Sequence, residues 1–178
     1  MKMRASKIIP FAALLSLSLC CGDSSSDSDN DSDEVSQNIE TLLETKECVD
    51  CNLTNANLRD QNLRNVNLQG ADLEGADLRD ADLFDANLKY ANLRNADLTL
   101  STLDSALCNS ADFTNSEMRN AKCRNSTMTD AKFNNADLTN ADFQGAQMLG
   151  AEIENATTNG TNFSGTEFEE LESDEAEE

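Results

Sequence analysis

Residues 51–75 read CNLTN ANLRD QNLRN VNLQG ADLEG, and the phase of five set there runs unbroken to TEFEE at residues 166–170. The 24 units cover 120 of the 178 residues, so one periodic body dominates the chain. Leu takes the third position of twelve units and Phe, Met or Cys that of ten more, while Ala takes the first position of sixteen. Positions two, four and five are mostly polar. A helix cannot use this pattern, because steps of five at about 100° per residue carry an apolar stripe around the axis. An extended chain can, since residues two apart share a side. The first and third residues then point inward and the others outward around a turn, where Asn55, Asp60, Gly70 and Gly75 suit position five. One unit cannot bury its own inward pair, but stacked units can. The sequence predicts a solenoid.

The units ANLRD, ADLEG, ADLRD and ANLRN repeat the motif A-(D/N)-L-x-x almost to the letter, and the chain resembles the pentapeptide-repeat family. The resemblance implies an all-β solenoid, a right-handed quadrilateral β-helix with four units per coil. A twenty-residue echo agrees with it: Arg59, Arg79 and Arg119 would share one face, and Asn55, Asn95, Asn115, Asn135 and Asn155 another. About six coils at ~4.8 Å each make a rod roughly 29 Å long. In the second half Cys108, Phe113, Met118, Cys123, Met128, Phe133, Phe143 and Met148 hold inward positions. Large and soft residues fill one column together, so these read as core.

The two ends differ from the body. Residues 1–20 have a basic start (Lys2, Arg4, Lys7) and an apolar run too short to span a membrane, which reads as a signal peptide. Cys20 and Cys21 resemble a bacterial lipoprotein processing site, with either one the lipidation candidate. Plain secretion and an uncleaved signal anchor are the other readings. Residues 21–34 read as an acidic disordered tether and 169–178 as an acidic disordered tail. Between tether and body, Val35, Ile39, Leu42 and Leu43 recur at helical spacing. They predict a short capping helix over 35–47, with Asp33 or Ser36 as caps, ahead of a repeat body at 48–168.

The absence of His excludes Ser-His-Asp, Cys-His and His-zinc sites. The periodic carboxylates Asp72, Asp77, Asp82, Asp97, Asp112, Asp137 and Asp142 single out no pair for acid–base work. No catalytic, cofactor or metal site is read, and an enzyme is not expected. Cys48 and Cys51 form a C-x-x-C, read as a structural disulfide or as two buried thiols rather than a redox pair or half a metal site. Among outward apolar residues, Tyr90, Leu107 and Leu149 share one face under four-sided geometry and form a candidate partner patch.

The net charge of −21 argues against direct binding to nucleic acid or anionic lipid headgroups. Most of that charge lies in the tether, the predicted helix and the tail, and residues 51–165 carry only −7. The expected function is an exported, lipid-anchored, non-catalytic rod at the bacterial cell envelope. It would bind an unidentified protein partner, or a second copy as a homodimer, and touch the membrane only through its lipid. The alternative comes from the family: some acidic members mimic duplex DNA and protect or inhibit DNA gyrase. A duplex of ~29 Å carries roughly 17 phosphates, more than twice the charge of this body.

Overall fold

The computed structural model describes residues 30–167. The chain enters through α1 (Asn30–Thr45) and then winds as stacked coils. Parallel β-bridges join each second-position residue to the one twenty residues on. Four ladders result, starting at Glu47, Asn52, Asn57 and Asn62. Each is named here by its first residue. The Glu47 ladder runs through Asn67, Asn87, Leu107, Thr127 and Gln147 to Glu167. A step of twenty means four units per turn of the solenoid, one unit on each side.

Each unit spends two backbone N–H groups on the next coil and one on its own turn. The Leu53 N–H donates to Asp72 O at 2.7 Å, the Asn55 N–H to Glu74 O at 2.8 Å, and the Ala56 N–H closes the turn on Leu53 O at 3.0 Å. The second-position N–H is bonded to the preceding coil, as in Asp72 to Cys51 O at 2.8 Å. Backbone satisfaction is thus met by stacking, which is why single bridged residues suffice and long strands do not form.

Position five holds a positive φ throughout, near 56° at Asn55 and 58° at Asp60. Asn, Asp and Gly accept that conformation most readily. Tyr90 and Leu100 adopt it at 62° and 63°, where a side chain with Cβ is disfavoured. Gly70 has a second reason to be glycine. A Cβ there would lie 2.0 Å from Oδ1 of Asp50 in the coil before.

The interior contains the third-position residues of the middle coils, fully buried from Leu53 to Met148, with first-position alanines beside them. Phe113 stacks on Phe133 at 4.9 Å between centroids, and Phe133 meets Phe143 edge to face at 5.7 Å. The large residues of the second half therefore pack on one another across the core. Three first-position alanines are replaced by buried serines. The Ser126 hydroxyl donates to Cys123 O at 2.6 Å, while those of Ser101 and Ser116 meet no partner among the described residues. In the last described coil the third-position residues are less covered: Ile153 and Thr158 are exposed and Phe163 is half-buried.

At the other end Leu42 of α1 is buried, and Val35 and Ile39 pack against the core. The Asn38 side chain donates to Asn52 O at 2.8 Å, tying the helix to the first coil. The sequence placed tether up to residue 34 and a helix over 35–47. The helix instead starts at Asn30 and ends at Thr45. Asp33 and Glu34 lie within its opening turns, where negative charge is favoured, so acidity there does not oppose helix formation. Asp33 and Ser36 are consequently interior residues, and the Ser36 hydroxyl donates back to Ser32 O at 2.8 Å. The signal peptide and lipidation candidates at Cys20 and Cys21 fall outside the described residues, as does the tail at 169–178.

Candidate interaction face

The Asn or Asp at position two has a structural task. Its Oδ1 accepts the backbone N–H of position four, as in Thr54 to Asn52 (3.1 Å), Glu74 to Asp72 (3.1 Å) and Arg79 to Asp77 (3.2 Å). These Asx turns hold the corner between coils. Reading the same carboxylates only as a periodic set with no acid–base pair misses this role. The signal was the prevalence of Asn or Asp at position two, in 14 of the 24 units, the two side chains with an acceptor at that reach.

In two units where position two is something else, the acceptor comes from the coil before. Lys122 offers none, and the Arg124 N–H donates instead to Asp104 Oδ1 at 2.9 Å. Glu152 replaces the motif residue likewise, and the Glu154 N–H donates to Asn134 Oδ1 at 2.9 Å.

Three sides of the rod are laced with ion pairs. Arg59 reaches Asp60 and Asp80, both at 3.5 Å; Arg79 pairs with Asp77 and Asp97; Arg119 pairs with Glu117 and Asp137. Arg94 meets Asp112 at 3.4 Å and Arg64 meets Asp82 at 3.1 Å. These arginine side chains are 41–48% exposed, so such pairs order the surface more than they stabilise it. The Arg79 guanidinium holds the Asp77 carboxyl below the usual carboxylate range. At Asp137 the Thr139 hydroxyl lowers it first, helped by Arg119. Burial pushes Asp112 up, and the Thr114 donors with Arg94 outweigh it, so it too ends below the usual value. All three are fixed as anions, the wrong state for an acid and too weakly basic for a base.

The Glu47 side differs from the others. Charge sits at its two ends, with Lys46, Glu47 and Asp50 at one and Glu167 at the other, while the five units between them, 66–70, 86–90, 106–110, 126–130 and 146–150, contain two charged residues, Lys89 and Asp130, which cancel. The same register places Tyr90, Leu107 and Leu149 on this side, exposed by 64%, 36% and 48%. Around them lie neutral polar residues such as Asn67, Gln69, Asn87, Asn109 and Gln147. Leu100 is also exposed but belongs to the Asn57 side, and Phe84 is covered by the Arg64 guanidinium 4.1 Å from its ring centre.

Cys48 and Cys51 are joined as a disulfide, with Cα atoms 5.4 Å apart, where α1 passes into the first coil. Cys108 and Cys123 are buried free thiols. Burial pushes the Cys108 thiol up to about 12 and Cys123 well above its ordinary value, so neither supplies a thiolate. Among the described residues no cluster of His, Cys, Asp or Glu is arranged to hold a metal, and no helix is long and apolar enough to cross a membrane. A cleft of about 550 Å³ lies between α1 and the first coil, lined by Val35, Ile39, Asn52 and Thr54. It presents no charged group.

A model of pentapeptide repeats matches residues 48–80, 81–120 and 116–151 in eight copies. The chain belongs to the pentapeptide-repeat family. Proteins of this family are right-handed quadrilateral β-helices and are generally structural or interaction modules. Among solved structures the chain is similar to a pentapeptide-repeat protein of the Arabidopsis thaliana thylakoid lumen. The identity there is 32%, over 57% of this chain and 64% of that one, with a TM-score of 0.34. It is also similar to the pentapeptide-repeat protein Rfr23 of the cyanobacterium Cyanothece 51142, at 22% identity over 76% of this chain and 96% of that one, TM-score 0.27. A third likeness is to QnrB1, a plasmid-mediated fluoroquinolone resistance protein, at 12% identity over 70% and 82% of the two chains, TM-score 0.29. Comparison with curated proteins gives no match.

Proposed function

We propose that this pentapeptide-repeat protein is an exported, lipid-anchored, non-catalytic rod of about six coils that offers its Glu47 side to a protein partner. The observation that carries the reading is the charge partition of the body. Residues 51–165 carry −7, yet within them the side bearing Tyr90, Leu107 and Leu149 is neutral, its remaining charges lying at the ends of the rod. Interfaces are depleted of charge at their centres and enriched in aromatic side chains, and Tyr90 stands there with apolar neighbours on its own side. The partner has a matching surface, polar but uncharged, with small apolar pockets.

Export is supported by residues 1–22 and by the Cys48–Cys51 bond, since disulfides persist in oxidising compartments. In this reading α1 caps the first coil and the segment before it is the spacer from the membrane.

A photo-crosslinking residue placed at position 90, 107 or 149 in the native host tests the docking side. Each should give the same discrete adduct, and the same probe at Thr139 on the Asn57 side should give none. Equal adducts from both sides, or adducts only at Thr139, would contradict the assignment.

A further inference from the structure

We infer that Asn159 is a site of spontaneous deamidation, a chemical modification written into the last coil. Asn159 is the one asparagine of the chain followed by glycine. In the reaction the Gly160 backbone nitrogen, having lost its proton, attacks Cγ of Asn159. A C–N bond forms, the bond to the side-chain nitrogen breaks, and ammonia leaves a five-membered succinimide. Water then opens that ring at either carbonyl, giving aspartate or isoaspartate, so amide plus water becomes acid plus ammonia. Gly160 has no Cβ to hinder the approach.

The fold adds what the dipeptide alone does not supply. At the asparagines of the coils before the last described one, the attacking amide is engaged in a hydrogen bond and so withheld. The Asn-Ser pairs show this. The Ser110 N–H donates to Thr129 O at 2.9 Å, Ser116 to Phe113 O at 3.0 Å and Ser126 to Cys123 O at 3.4 Å. After Asn155 the Ala156 N–H donates to Ile153 O at 3.1 Å. Position-five residues normally donate to the coil that follows, as Gly145 does to Ser164 O at 2.9 Å. Gly160 lies in the last described coil, and its N–H donates to no described residue. Both Asn159 and Gly160 are exposed, so water reaches the ring. The product adds one negative charge beside a stretch already carrying Glu152 and Glu154.

The test is to incubate the full chain, folded, at mildly alkaline pH and to follow each asparagine by peptide mapping. Position 159 should convert first, to a mixture of aspartate and isoaspartate, and faster as pH rises. Asn109, Asn115, Asn125 and Asn155 should remain amides over the same interval. Asn159→Gln should remove the leading acidic species on isoelectric focusing. In denaturant the lead of Asn159 over the Asn-Ser sites should shrink, because their amides are released. Conversion of any Asn-Ser site ahead of Asn159 in the folded chain would overturn the inference. So would a ratio of rates unchanged by unfolding.

Discussion

Asp104 accepts the backbone N–H of Arg124 at 2.9 Å, across the twenty residues that separate one coil from the next. It stands in for the motif residue that Lys122 replaces. In an ordinary unit the second residue accepts the fourth residue's N–H locally. Here the preceding coil supplies the oxygen, so the corner is held by two units at once. Asp104→Ala removes this acceptor together with the carboxylate that pairs with the Arg124 guanidinium, and should lower stability by about 1 kcal/mol, chiefly through the unpaired N–H. Lys122→Asn restores a local acceptor and should recover most of that loss in the double variant. A denaturation cycle on the four proteins measures the coupling; simple additivity would show that Asp104 does not substitute for the motif residue.

Two serines at one repeat position should respond oppositely to alanine. Ser116 buries a hydroxyl without a partner, so Ser116→Ala removes a desolvation penalty and should stabilise by about 1 kcal/mol. Ser126 donates to Cys123 O, and Ser126→Ala should be neutral or mildly destabilising. Melting temperatures of the two variants decide it. A loss at Ser116 as large as at Ser126 would mean that its hydroxyl is satisfied.

These differences were only partly legible in the sequence. The phase of five, the inward Leu and Ala and the outward polar residues could be read because period and burial are the same fact in a solenoid. The purpose of Asp77 could not, since a surface carboxylate and an Asx-turn acceptor look alike until Arg79 N–H is seen 3.2 Å away. The start of α1 was misplaced because Asp33 and Glu34 resemble disordered acidic linker, and only packing of Val35, Ile39 and Leu42 distinguishes the two. Phe84 stands at an outward position, and only the fold brings Arg64, twenty residues earlier, over its ring. The neutral character of the Glu47 side follows from register, yet it becomes visible only when charges are sorted by ladder.

The lowered carboxyls predict an acid limb. Asp77, Asp112 and Asp137 titrate below their unfolded values, so their contribution is complete above the unfolded pKa near 4. It is lost as pH falls through the lower folded values. Stability should therefore hold from neutral to about pH 5 and decline below about pH 4. Asp137→Asn keeps an oxygen for the Thr139 N–H and removes the titration, so its acid limb should be shallower. An identical pH profile for wild type and variant would sink this account of Asp137.

The disulfide closes a very short loop, which limits its effect on the unfolded chain to about 2 kcal/mol. Replacing both Cys48 and Cys51 by Ala should leave the far coils intact and weaken the junction of α1 with the first coil. Hydrogen exchange should show lost protection at Lys46, Cys48 and Leu53 and none at Phe133. Uniform loss along the rod would show that the bond supports global rather than local stability.

The proposed function requires export with lipid attachment. It is tested most directly by the mass of the native N-terminal peptide, recovered from fractionated cells of the natural host. The account predicts membrane-bound protein beginning at an acylated Cys20 or Cys21, with processing blocked by globomycin. Unprocessed chain starting at Met1 in the cytosol, together with inhibition of gyrase supercoiling by the purified protein, would contradict it and establish the DNA-mimic reading in its place.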